Sequence, residues 1–141
     1  MTQQIVNDYP PLYNEIAVAF GLKVRDPIIF SWGDRLYNPT RMEIPPELIA
    51  HEAVHAERQG GGQEIIDWWV HYIDSRAFRL AEEIPAHCAE YQHVLAHGNR
   101  TERRAALRVT AERLAAPLYG RMITPAEAIK ALRTAERVGY L

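Results

Sequence analysis

The chain has 141 residues, 48% hydrophobic and 24% charged, with a formal net charge of -2. These values fit one soluble globular domain large enough to bury a core. They exclude a global basic field for nucleic acid, and the single cysteine, Cys88, excludes an intrachain disulfide. No stretch approaches the roughly 18 apolar residues of a membrane span. The N-terminus has no basic region or apolar run of a signal peptide, so a leaderless cytoplasmic protein is the expectation.

Residues 1–9 are polar and read as loose. Pro10-Pro11 opens a helix in which Leu12, Ile16, Ala19 and Phe20 recur at helical spacing, with Gly21 as its stop. Ile28-Ile29-Phe30-Ser31-Trp32 and Arg35-Leu36-Tyr37 flank Gly33-Asp34 and read as a hairpin, the one convincing strand signal in the chain. Pro45-Pro46 then opens a helix that runs to the break at Gly60-Gly61-Gly62. The break reads as a turn rather than a mobile lip.

That second helix carries His51-Glu52-Ala53-Val54-His55. Residues i and i+4 share a helix face, so both imidazoles can reach one metal ion. Glu52 stands about 100° round the helix, where it can sit beside an activated water without coordinating the metal. This is the arrangement that metal-assisted hydrolysis requires of a general base. Short patterns of this kind also arise by chance on solvated helices. Here no Pro or Gly separates the ligands, and Leu48, Ile49, Ala53, Val54 and Ala56 make the surroundings apolar.

Residues 63–72 read as a helix whose adjacent Trp68 and Trp69 are expected to divide, one into the core and one along a groove. Asp74-Ser75 reads as the cap of a long helix over residues 76–97. Its expected core face is Ala77, Leu80, Ala81, Ile84, Cys88, Tyr91 and Leu95. Glu83, His87, Glu90 and Val94 form a stripe on the flank, Glu82 is expected to face solvent, and Pro85 interrupts the hydrogen bonding. His93 and His97 read as a surface pair. Gly98-Asn99 ends the helix. An arginine-rich helix over residues 100–116 follows, with Arg100, Arg104 and Arg108 on one side. A solvated face is the preferred reading over a nucleic-acid contact. Residues 117–122 read as a turn, and Thr124-Pro125-Ala126-Glu127 as a capping box opening a last helix to about Val138.

A catalytic zinc site needs a third protein ligand. The candidates are Glu83, His87 and Glu90, and helical phase favours Glu83 over Glu82 as an inward-facing ligand. His51-Glu52-Ala53-Val54-His55, followed by a helix carrying Glu83-Ile84-Pro85-Ala86, resembles the zincin metallopeptidases, specifically the gluzincin type with two His and one Glu ligand. With Trp68-Trp69, Tyr72 and Phe78-Arg79, it is similar to small versions encoded by phages and prophages. The resemblance spans roughly residues 28–95. It implies one Zn2+ per chain on His51, His55 and Glu83, with Glu52 as the base, and hydrolysis of a peptide or amide bond in a peptide or protein substrate. It also implies that an edge strand beside the site pairs with extended substrate, for which a purely structural hairpin is the alternative. Some gluzincins carry an Asp four residues after the Glu ligand to hold a ligand His. Here that position is His87, so the role falls to Glu90 or a backbone carbonyl.

Candidates for stabilising the oxyanion are Tyr72, His71, His87, Arg79 and Tyr91. Two other functions stay open: a zinc-binding protein of this fold without activity, and a phage structural or nucleic-acid-associated module. The expected fold is α+β with helices dominant, a single domain over residues 1–141. The whole domain is expected to hold about five helices and one hairpin, with a core over about residues 10–97 and a helical pair over about residues 100–138. Substrate identity and oligomeric state have no signal in the sequence.

Overall fold

A computed structural model describes residues 2–137. The protein is α+β and mostly helical. In chain order the described elements are β1 (Gln4–Val6), α1 (Tyr13–Phe20), β2 (Phe30–Trp32), β3 (Arg35–Tyr37), α2 (Pro46–Gln59), α3 (Gln63–Asp74), α4 (Arg76–His97), α5 (Arg100–Leu114) and α6 (Pro125–Arg137), with a 3-10 turn at Pro117–Tyr119 between the last two. No described helix is long and apolar enough to cross a membrane.

The hairpin forms as expected around Gly33, whose φ of +58° suits glycine. A Cβ there would also lie 2.7 Å from the Cδ1 of Ile65. The segment read as loose holds a strand instead. β1 pairs parallel with β3, aligning Gln4 with Arg35 and Val6 with Tyr37, which gives the sheet order β1-β3-β2. A three-residue strand is too short to show alternation, and β1 is held by distant partners. The Gln3 side chain donates to the Ser31 Oγ at 2.8 Å and to the carbonyls of Gly33 and Arg35.

The first helix starts at Tyr13, after Leu12 takes a left-handed conformation, and Gly21 caps its end. Ser75 accepts from the Phe78 backbone N–H at the start of α4, and Asn99 and Glu102 form a capping box on α5. Thr124 and Glu127 exchange the expected capping hydrogen bonds before α6. Val138 lies outside the described residues. The glycines at 60–62 form the turn between α2 and α3, where Glu64 reaches back to the Gly61 N–H.

Two apolar clusters flank the pairing of α2 with α4. One gathers Ile16, Phe30, Tyr37, Ile65, Trp68, Trp69 and Tyr72 between sheet, α1 and α3. The other gathers Cys88, Ala111, Leu114, Ala128, Leu132 and Ala135 among α4, α5 and α6. The expected core face of α4 needs correction. Ala77 and Ala81 are exposed, whereas Arg79, Glu82, Glu83, Ala86, His87 and Glu90 are buried. The face turned to α2 is polar because carboxylates and imidazoles pair with one another there, a form of burial that hydrophobic periodicity does not register.

Glu82 is likewise buried rather than solvent-facing. It accepts from the Trp68 Nε1 at 2.7 Å and from Arg58 at 2.7 Å. Its helix is covered on that side by both α2 and α3. Trp68 and Trp69 do not divide between core and groove: both are 6% exposed, their rings meet edge to face, and both line the cleft described below.

Candidate metal centre

Helix α2 puts His51 and His55 one turn apart, and α4 packs against it with Glu83 facing both. The His51 Nε2 lies 3.2 Å from Oε1 of Glu83, and the His55 Nε2 lies 3.0 Å from Oε2. The three residues can offer ligand atoms all within 4.8 Å of one another. All three are buried, at 4%, 4% and 2% exposure. Two imidazole nitrogens and a carboxylate oxygen are the donor set of a catalytic zinc site. The fit has a further sign: Oε1 of Glu83 is buried and makes no hydrogen bond among the described residues. A buried carboxylate oxygen left this way is costly unless a cation takes it up.

Glu52 lines the same cleft, its Oε1 4.0 Å from the His51 Nε2. Its backbone carbonyl accepts from the Ser31 Oγ at 3.1 Å, which ties this turn of α2 to β2. The strand is tied again two turns on. Gln59 accepts from the Gly33 N–H and donates to the Ser31 carbonyl, which also accepts from the Trp69 Nε1.

Around these residues stands a second layer. Tyr72 donates to Oε2 of Glu83 at 2.5 Å. Oε1 of Glu90 accepts from the His51 Nδ1 at 3.1 Å, in the tautomer that leaves Nε2 for the metal. The other Glu90 oxygen is 3.2 Å from the Nε of Arg113. His87 sits beside the ligands, with Nε2 3.5 Å from Oε1 of Glu83 and 3.2 Å from the Tyr119 hydroxyl. His51, His87 and Glu90 also form a compact set. Both Glu90 oxygens already have protein partners, however, so the unfilled demand lies at Glu83.

Three expected oxyanion candidates are elsewhere. His71 is exposed at the end of α3. Arg79 is spent on the carbonyls of Tyr72, Ile73 and Tyr119. Tyr91 lies on the α6 side of α4, where Glu136 and Arg133 are its charged neighbours. His93 and His97 contact each other away from the site. Two residues with no sequence signal do line the cleft, Arg113 at the end of α5 and Tyr119 in the 3-10 turn. They come from the helical pair that the sequence sets apart from the core. Arg100, Arg103, Arg104 and Arg108 stay exposed.

The buried carboxylates and imidazoles of the site shift one another. Burial disfavours the Glu83 carboxylate, but His55 and His51 outweigh it and hold the group well below the usual range. Burial works against a charged His51, yet Glu83 and Glu90 push it up to about 10. Glu90 falls to about 2 because His51 and His87 overcome its burial. Glu52 is raised, chiefly by burial, against the pull of His51 and His55. A buried base moved up towards neutrality suits proton transfer. Burial and the neighbouring carboxylates Glu83, Glu52 and Glu90 hold the Tyr119 hydroxyl neutral, well above its ordinary range.

Comparison of the chain with protein-family models, curated proteins and solved structures finds no match to any of them.

Proposed function

We propose that the protein is a zinc-dependent hydrolase of peptide or amide bonds, of the zincin type, with His51, His55 and Glu83 as ligands and Glu52 as the general base. One observation carries this reading: the Nε2 atoms of His51 and His55 converge on the two oxygens of a single buried carboxylate, one of which has no hydrogen bond among the described residues. When bound, zinc supplies Lewis acidity, acidifying water and polarising a carbonyl. Glu52 takes the proton of the attacking water on its carboxylate and passes it to the departing amine. Tyr72 fixes the orientation of Glu83, and Glu90 fixes that of His51. Tyr119, neutral and facing the cleft, is the hydroxyl donor for the developing oxyanion.

An extended substrate would run along residues 27–30, which line the cleft. The Ser31 carbonyl is already taken by Gln59 and Trp69. We take the cytoplasm as the setting, with which the single free Cys88 is compatible.

The test is zinc content and peptide hydrolysis in wild type, Glu83→Ala and Glu52→Gln. One zinc per wild-type chain, much reduced in Glu83→Ala, is expected. Glu52→Gln should keep its zinc and lose hydrolysis by at least about a hundredfold. Zinc with no hydrolysis of any peptide by the wild type would favour an inactive zinc-binding protein. No zinc after reconstitution would end the reading.

A further inference from the structure

Arg113 is the one Arg or Lys among the described residues that line the cleft. The other cleft walls are largely apolar, with Phe20, Ile28, Leu48, Trp68 and Leu118 among them. The Arg113 Nε is held 3.2 Å from Oε2 of the buried Glu90. A guanidinium carries five N–H donors, so this contact leaves those on Nη1 and Nη2. No other ion pair or hydrogen bond engages them among the described residues. The side chain is 41% exposed, against 2% for Glu90. It is therefore anchored at one edge and open at the other. The anchor also fixes its place: Glu90 bridges Arg113 to the Nδ1 side of His51, away from the Nε2 that faces Glu83. The guanidinium thus lines the cleft on the Nδ1 side of His51, apart from the Nε2 that faces Glu83.

We infer that the cleft takes substrates with a free carboxylate close to the scissile amide, held by Arg113, beside apolar side chains. A planar guanidinium matches a carboxylate with paired N–H···O bonds, and pre-anchoring at Nε reduces the ordering lost on binding. The inference rests on the hydrolase reading. Its reaction is hydrolysis of an amide near a chain's C-terminus: the C–N bond breaks, the water's hydroxyl joins the carbonyl carbon and its proton goes to the departing amine.

The test uses zinc-saturated Glu52→Gln protein, in which substrate should persist, and calorimetric binding of N-acetyl-Phe-Leu as the free acid and as the C-terminal amide. The acid should bind about ten- to a hundredfold more tightly, the range of a charge-assisted pair. Adding Arg113→Gln should remove the difference while zinc content at saturation is kept, and Arg113→Lys should restore part of it. Equal binding of acid and amide, or a preference that survives Arg113→Gln, overturns the inference and leaves the zinc site standing. Absence of zinc from the protein overturns both.

Discussion

The Nδ1 of His51 lies 3.1 Å from Oε1 of Glu90, and both groups are buried. This pair joins the proposed ligand to the rest of the fold, because the other oxygen of Glu90 meets Arg113 at the end of α5. Carboxylates in this position set the tautomer and angle of a ligand imidazole, and losing one commonly costs about 10- to 100-fold in metal affinity. Glu90→Ala is expected to weaken zinc binding by that factor in a chelator competition, with a smaller loss in Glu90→Gln. Unchanged affinity in both would mean that His51 is oriented by its helix alone.

Adjacent glutamates on α4 have separate tasks. Glu83 faces His51 and His55, while Glu82 closes a contact with Trp68 and Arg58. Removing Glu82 strands a buried indole N–H, which costs about 1–3 kcal/mol. Glu82→Ala should therefore lower the urea unfolding free energy of the metal-free protein by that amount and keep full zinc stoichiometry. Glu83→Ala should lose the zinc. The reverse pattern, zinc lost with Glu82 and kept without Glu83, would overturn the ligand assignment.

Cys88 is buried between α4 and α6, and burial, with Glu136 nearby, pushes its thiol up to about 11. A raised thiol pKa favours the neutral form in the fold, so this group adds stability below the unfolded value and withdraws it as pH rises towards the folded one. At pH 8 the native thiolate fraction is on the order of one in a thousand. Alkylation by iodoacetamide, followed by mass spectrometry, should be at least about a hundredfold slower in native than in urea-unfolded protein. Equal rates would show that the α4–α6 contact opens readily.

Much of the candidate site was legible in advance. His51, Glu52 and His55 lie on one unbroken helix, where spacing alone fixes their relative directions. Glu83 was legible only as a phase on its own helix, and the preference over Glu82 rested on the angle between neighbours. The structure places Glu83 at the histidines, but Glu82 is buried as well, since α4 is covered over a wider arc than an apolar stripe suggests. Glu90 was one of two options for orienting His51. Only the packing of α4 on α2 selects it.

Local rules carry a short distance along the chain, and within that distance the sequence by itself determined this protein: most helix limits, the Ser75 cap, the Thr124–Glu127 capping box, the Gly33 hairpin and the i, i+4 histidines all arise from residues a turn or two apart. The tertiary structure decided what is made by contact between distant segments. It added β1 beside β3, turned the polar face of α4 inward and brought Arg113 and Tyr119 to the cleft from beyond the expected core. Polar burial depends on a partner's being in place, and no periodicity along one segment records where another segment's partner will arrive.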